Sequence, residues 1–456
     1  MMSSSKRKYF AIKDDLSSSS SLSTKKRLLQ LVPYKIKSTF ISQSNICYLS
    51  QLPVEMRDLI FLKLSPYDLH QLACTSNEYF SIILNFLRSS MGTRYIKTVL
   101  EISPNQRRSG AWERLGRLYG LMTSLVPVAR RIQIIKELLF TKLNLTCDGS
   151  NTEDLCHIGR FFGEATKHWS EREISWAFSQ LDSYLQLKKK IDRFYSCEHV
   201  GIETRLEQTI RSCFRLVYFD FIRLHAHRGC LLNVILYKQP IWFQARLIYL
   251  LFGPVSSDQI DWEKFSRDRT NFFIHPNVDE EQAYFDLSRA FNVLNRSVHA
   301  QKAWNSNSKL ALLNELIAQP VPWKSEYVAE LLFYCGRELL TNVLIAFAMK
   351  NYHKEYAQLI HSLCIVARQR KSYYEIIQLA IEDSFERCTL IAQRNSIVIH
   401  LQNAFRCVTR NVIAVLASST ITITDQLHYL QQLEALDAQK ASLISYLLTN
   451  QFDQIE

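Results

Sequence analysis

The sequence predicts an all-α protein, and three observations carry the prediction. Apolar residues fill 47% of the 456 positions, enough for an extensive folded core. Glycine (11) and proline (10) are sparse for that length, so the patterns run long and are weakly punctuated. The apolar residues recur at helical spacing, while β-branched alternation is scarce. Length alone suggests two or three domains. The 11 cysteines are scattered and no CxxC occurs, which fits free buried thiols in a reducing compartment. A nuclear or cytoplasmic, intracellular location is therefore expected.

Residues 1–45 differ from the rest. They hold the serine run Ser17–Ser21 and nine Lys or Arg residues against Asp14 and Asp15, so +7 of the chain's +12 lies here. This composition predicts a disordered, Ser-rich basic tail without the apolar core of a signal peptide. Lys6-Arg7-Lys8 and Lys25-Lys26-Arg27 suit nuclear import or a plain solvated tail equally, and direct nucleic-acid binding less well.

Residues 46–90 read as three short helices. Pro53 suits the first helical position, because its fixed φ matches the helix and its missing N–H is not needed there. That helix is expected to reach about Leu64. Ser65 can cap a second, with Pro66 opening it and Asp68 facing its positive end, and Leu69, Leu72 and Ala73 following. Ser76 can cap a third, carrying Tyr79, Phe80, Ile82, Ile83, Phe86 and Leu87. On the first helix, Met56, Leu59, Ile60, Phe61, Leu62 and Leu64 point almost all the way round, broken only by Arg57, Asp58 and Lys63. An amphipathic surface helix keeps one apolar stripe. This one needs two partners, and the second is either its own domain or another protein.

Leu52-Pro53-x-Glu55, Ile60, Leu64, Leu69, Leu72-Ala73 and Ser76 together resemble the F-box family in order and spacing. The resemblance departs at Asn77-Glu78-Tyr79-Phe80, where many F-boxes carry a basic residue and a Trp. It implies a three-helix module that docks on the adaptor Skp1 and, through Skp1, joins a cullin–RING ubiquitin ligase. The Skp1 contacts it implies are Leu52, Pro53, Glu55, Ile60, Leu64, Leu69 and Leu72.

From 91 to 456 the pattern stays helical. Trp112–Leu125 holds Leu115, Leu118, Tyr119 and Met122 at helical spacing, and Pro127 opens a segment with Ile132, Ile135, Leu138 and Leu139 on one face. A turn is expected over 144–152. Two helices follow at Leu155–Trp169 and Ile174–Leu187, and Lys188-Lys189-Lys190 reads as a solvated helix end. Thr204–Leu224 is long and amphipathic. His225 and His227 lack further spaced ligands, so a surface or capping role is expected rather than a metal site.

Pro240 opens the next helix and Gly253-Pro254 stops it. Residues 255–281 turn polar and irregular, the best place for a long loop or a subdivision. Ser308 can cap Lys309–Ala318, Pro320-Val321-Pro322-Trp323 marks a sharp connection, and Ser325 opens another helix that ends near Gly336. Leu339–Met349 is the most apolar run but too short to span a bilayer, so no membrane partner is expected. Residues 352–416 carry a continuous helical pattern. After the β-branched Thr420–Thr424, Asp425 can cap a final helix with Leu427, Leu430, Leu433, Leu436, Leu443 and Leu447. Successive helix pairs suggest a helical-repeat-like stack, although no repeat signature recurs at a fixed period.

Three further stretches are similar, in order, to an animal family of meiotic F-box-only proteins. They are Leu118-Tyr119-Gly120-Leu121; Gln244 to Tyr249 with Phe252-Gly253-Pro254 and Ser256; and Asn403 to Val408. That similarity implies a germline role in meiotic prophase, nuclear and tied to chromosome pairing and synapsis through ubiquitin-directed turnover.

No P-loop, GxGxxG, GxSxG or HExxH is present, and no cofactor or metal is implied. A non-catalytic receptor needs none, because it only raises a substrate's effective concentration near chemistry carried elsewhere. The expected partners are Skp1, a cullin through Skp1, and an unnamed protein substrate held by residues 91–456. Trp242, Phe243 and Arg246 form an aromatic–Arg cluster of the kind enriched at binding hot spots, with aromatic core packing as its alternative reading. The alternative function is a Skp1-associated scaffold on meiotic chromosomes that directs no ubiquitin transfer. A nucleic-acid binder is disfavoured, since most excess charge sits in the tail rather than on a folded face.

Overall fold

The expected caps are present and place the N-terminal helices. In a computed structural model of the chain, Ser65 Oγ accepts from Asp68 N–H (3.2 Å), while the Asp68 carboxylate accepts from Ser65 N–H (3.3 Å). Ser76 Oγ accepts from Tyr79 N–H at 3.1 Å. The structure describes residues 48–101, 109–146 except 125, 151–267, 278–297 except 295, 304–369, and 374–417 except 389. The predicted tail at 1–45, the Thr420–Thr424 break and the helix capped by Asp425 lie outside these residues.

Two compact units are separated near residue 102. The first contains α1 (Tyr48–Gln51), α2 (Val54–Phe61), α3 (Pro66–Thr75), α4 (Asn77–Arg88) and α5 (Ser90–Glu101). Its core is Phe61, Leu69, Ala73, Ile83, Phe86, Leu87, Tyr95 and Ile96. The rings of Phe61 and Phe86 lie 5.2 Å apart, and those of Phe86 and Tyr95 5.8 Å apart. The unit thus extends past residue 90, because α5 supplies Tyr95 and Ile96 to the same core. Helix α2 stops at Phe61 rather than Leu64. Lys63 and Leu64 donate to Ile60 and Phe61 carbonyls, three residues back, and this tightening closes the helix early.

The second unit is all-helical apart from one short hairpin among the described residues. It begins with α6 (Ser109–Met122), α7 (Val128–Lys136), α8 (Thr152–Ala165), α9 (Glu171–Leu185), α10 (Leu187–Tyr195) and α11 (Thr204–Ser212). Then come α12 (His225–Leu236), α13 (Ile241–Phe252), β1 (Val255–Ser256) and β2 (Gln259–Ile260). It closes with α14 (Val278–Leu294), α15 (Ser306–Ala318), α16 (Ser325–Cys335), α17 (Arg337–Met349), α18 (His353–Gln369), α19 (Tyr374–Arg387) and α20 (Ile391–Ala417). Helices α7 and α11 each run on into a wider π-helical turn, Glu137–Lys142 and Cys213–Phe219.

From α12 onward each helix packs on the one two positions later. Helices α12, α14, α16, α18 and α20 form one layer; α13, α15, α17 and α19 form the other. This alternation is the geometry of stacked helix pairs, in which each pair buries its apolar face against its neighbours. Close packing also relies on glycine. A Cβ at Gly116 or Gly120 of α6 would meet the Phe161 and Ala165 carbonyl oxygens of α8 at 2.4 and 2.7 Å.

Several expectations change. In the stretch 255–281, residues 255–267 are ordered by packing: β1 and β2 pair antiparallel, and the turn after them drives Trp262 and Phe265 into the core, while 268–277 lie outside the described residues. Trp262 stacks on Tyr249 (5.0 Å), and Phe265 packs on Trp323 (4.4 Å) and Tyr284 (5.1 Å). The polar residues here decorate a segment whose two aromatics do the packing. Helix α15 is capped by Asn305, whose side chain accepts from Ser308 N–H at 2.8 Å, so Ser308 lies inside the first turn. Lys188–Lys190 start α10 rather than end α9. The pattern at 352–416 divides into α18, α19 and α20.

Candidate functional site: the outward apolar side of α2

Helix α2 is amphipathic the wrong way round. At about 100° per residue, Met56 and Leu59 lie on the side opposite Phe61. Phe61 is fully buried, whereas Met56 is 52% and Leu59 53% exposed. Arg57 and Asp58 are half-buried. Burial raises the Asp58 carboxyl above its usual range, against the lowering effect of the neighbouring Arg57. Leaving two large apolar side chains in water while half-burying two charged ones costs stability unless a partner covers the apolar side. Ile60 (37% exposed) flanks that apolar face, while Val54 (56%) is exposed at the first turn, on the Phe61 side of the helix.

The residues implied as adaptor contacts mostly lie at or near the surface. Pro53, Glu55 and Ile60 are exposed, and Leu52, Leu64 and Leu72 are half-buried. Leu69 is the exception. It is fully buried within the unit, so none of its side chain is offered at the surface. Its position, three residues into α3 behind the Ser65 cap, turns it toward the core. Met56 and Leu59 are exposed apolar residues outside the implied contact set. The all-round apolar pattern of the sequence is their signal, but it does not say which side the unit's own core takes.

Below this face the chain is held by two devices. The Ser65–Asp68 capping box fixes the start of α3. The Tyr95 hydroxyl of α5 donates to the Leu64 carbonyl oxygen at 3.1 Å. Burial, aided by the Asp68 charge, raises the Tyr95 phenol well above its usual value, so it stays a donor.

The second predicted cluster is not a free surface. Phe243 is fully buried, 5.8 Å from Phe194. Trp242 is half-buried against Tyr195 (5.4 Å), and the Arg246 guanidinium sits 5.0 Å over the Trp242 ring. Arg246 also donates to the Cys197 carbonyl at 3.4 Å. Trp242, Phe243 and Arg246 therefore pack α13 onto α10 and its following loop. The His225–His227 pair is likewise no ligand set, since His227 Nε2 sits 2.9 Å from the Trp169 carbonyl oxygen. Among the described residues no group of His, Cys, Asp and Glu is arranged to hold a metal ion, and no helix is long and apolar enough to cross a membrane.

Comparison with known families agrees with this geometry. The F-box domain model matches residues 49–88, which span α2 to α4. The family described as "FBXO47, ARM repeats" matches residues 185–455, more than half of the chain. The chain belongs to this family. Human F-box only protein 47 is 25% identical over 372 residues, covering 78% of this chain and 79% of the relative. Mouse F-box only protein 47 is 24% identical over 375 residues, covering 79% and 80%. No solved structure matches. The all-α expectation holds: an F-box is followed by a body of armadillo-type helical repeats, which the alternating layers of α12 to α20 display. The role that follows is that of an F-box substrate adaptor.

Proposed function

We propose that this chain is the substrate receptor of a Skp1–cullin–F-box ubiquitin ligase. The observation that carries the reading is the outward apolar side of α2, with Met56 and Leu59 half exposed opposite the buried Phe61. On this reading Leu52, Pro53, Glu55, Ile60, Leu64 and Leu72 contact Skp1, joined by Met56 and Leu59. Skp1 recruits the cullin, and the helical body holds the protein to be modified. The chain itself performs no bond chemistry: the ubiquitin thioester sits on another subunit, and tethering raises the client's effective concentration there.

The sequence similarity to an animal meiotic family supports placing this activity in the nucleus during meiotic prophase, at chromosome pairing and synapsis. The test is co-purification of the full chain with Skp1 and a cullin, followed by reconstituted ubiquitin transfer. A ternary complex that carries ubiquitin transfer supports the receptor. A Skp1 complex that admits no cullin would replace the receptor by a scaffold on meiotic chromosomes. Absence of the complex from germ-cell nuclei would remove the meiotic placement alone.

A further inference from the structure

We propose that a basic groove between α10 and α11 docks an acidic segment of the client protein, an inference that rests on the receptor reading above. The groove measures about 670 Å³ and opens to solvent. Lys189, Lys190 and Arg193 of α10 line one side; Ile202, Glu203 and Arg205 line the other. Four cations thus face one carboxylate. Glu203 is already engaged by Arg193 (2.8 Å), and Lys190 Nζ donates to the Leu185 carbonyl (2.8 Å). Lys189 and Arg205 are exposed, and among the described residues neither forms an ion pair.

The fold uses only part of this charge, since Lys190 and Arg193 have partners within the chain and Lys189 and Arg205 form no ion pair among the described residues. Lys188, Lys189 and Lys190 fill the first turn of α10, where the helix dipole disfavours positive charge; Asp182 accepts from Lys188 N–H there at 3.2 Å, and an external anionic partner would offset the rest. The groove is also built in advance. Buried Glu207 accepts from Gly201 N–H (2.6 Å) and from Trp262 Nε1–H (3.0 Å), which pins the loop joining the two helices. Arg246 holds the same loop through Cys197. A pre-shaped site loses less freedom on binding.

The lining chooses between anions. Ile202 is 67% exposed at the groove and offers an apolar anchor beside the charges. No aromatic side chain lines it for base stacking. An Asp/Glu-rich peptide with an apolar side chain fits both features. The chain's own first 45 residues, at +7, do not.

The test is fluorescence anisotropy on the full chain with a short labelled peptide of Asp and Glu around one Leu. A charge-matched duplex DNA and a Lys-rich peptide serve as comparison probes. The acidic peptide is expected to bind, to weaken as salt rises, and to weaken about tenfold or more when Lys189→Glu and Arg205→Glu are combined. Both sites are exposed, so circular dichroism should be unchanged, and the milder pair Lys189→Gln with Arg205→Gln should give an intermediate loss. The reversed variant should gain binding to the Lys-rich peptide. Acidic-peptide binding that survives the double reversal would place it on the basic tail and overturn the proposal. DNA binding that outcompetes the peptide and is lost with the same pair would overturn it in favour of a nucleic-acid site. Skp1 capture is scored on the same samples. Peptide binding without Skp1 would sink the receptor reading while supporting the groove; Skp1 capture without peptide binding would sink only the groove.

Discussion

The Tyr95 hydroxyl donates to the Leu64 carbonyl oxygen at 3.1 Å, tying α5 to the turn that ends α2. That single bond links a helix beyond the matched F-box segment to a predicted adaptor contact. Tyr95→Phe keeps the ring against Phe86 and removes only the donor. The expected loss is about 1 kcal/mol of stability, measured by urea unfolding. A change too small to measure would mean that water replaces the bond and α5 does not brace the turn.

Buried Leu69 and exposed Leu59 make opposite predictions for the same substitution. Leu69→Ala opens a cavity and should cost roughly 2–5 kcal/mol. Leu59→Ala should leave stability within about 0.5 kcal/mol while weakening Skp1 binding. If the two variants unfolded alike, the assignment of Leu69 of α3 to the core and of Leu59 of α2 to the outward face would be wrong.

Glu207 is the hinge pin of the 197–203 loop. Both carboxylate oxygens accept from N–H donors, Gly201 and Trp262 Nε1. Glu207→Gln presents an NH2 group to one of them, leaving two donors face to face. A cost of about 1–3 kcal/mol is expected by thermal or urea unfolding, with acidic-peptide affinity reduced as the loop loosens. Wild-type stability in this variant would show that the loop is held by other contacts.

His361 of α18 is a source of acid sensitivity. Burial pulls it down to about 4, and its ring packs edge-on against Phe405 (5.4 Å). The folded state favours the neutral ring, so its contribution is complete above about pH 6.5 and is lost as pH falls toward 4. His361→Leu removes the titration and should flatten the stability curve across that window by up to roughly 3 kcal/mol. Identical pH profiles for the two proteins would contradict the burial argument.

Local signals carried much of this fold. Ser65, Asp68 and Ser76 announced two helix starts because capping is decided by neighbours in sequence. Pro240 and Gly253 bracketed α13 for the same reason. Residues whose role depends on distant partners were less legible. The polar composition of 255–267 hid Trp262 and Phe265, whose partners Tyr249, Tyr284 and Trp323 lie elsewhere in the chain. Leu69 and Leu59 share one residue type and similar spacing, and only packing separates them. Trp242 and Phe243 looked like a hot spot for the reason that aromatics serve cores and interfaces alike. The basic groove joins Lys189 to Arg205 across a loop, a pairing no helical period reveals.

The most direct test of the central claim is Skp1 affinity, measured by calorimetry, for the intact chain and for a variant combining Met56→Asp with Leu59→Asp. Both positions face away from the core, so helicity and unfolding midpoint should hold. Skp1 should bind the intact chain tightly and the variant not measurably. Equal binding by both proteins, or none by the intact chain, would contradict the assignment of the outward face of α2 to the adaptor.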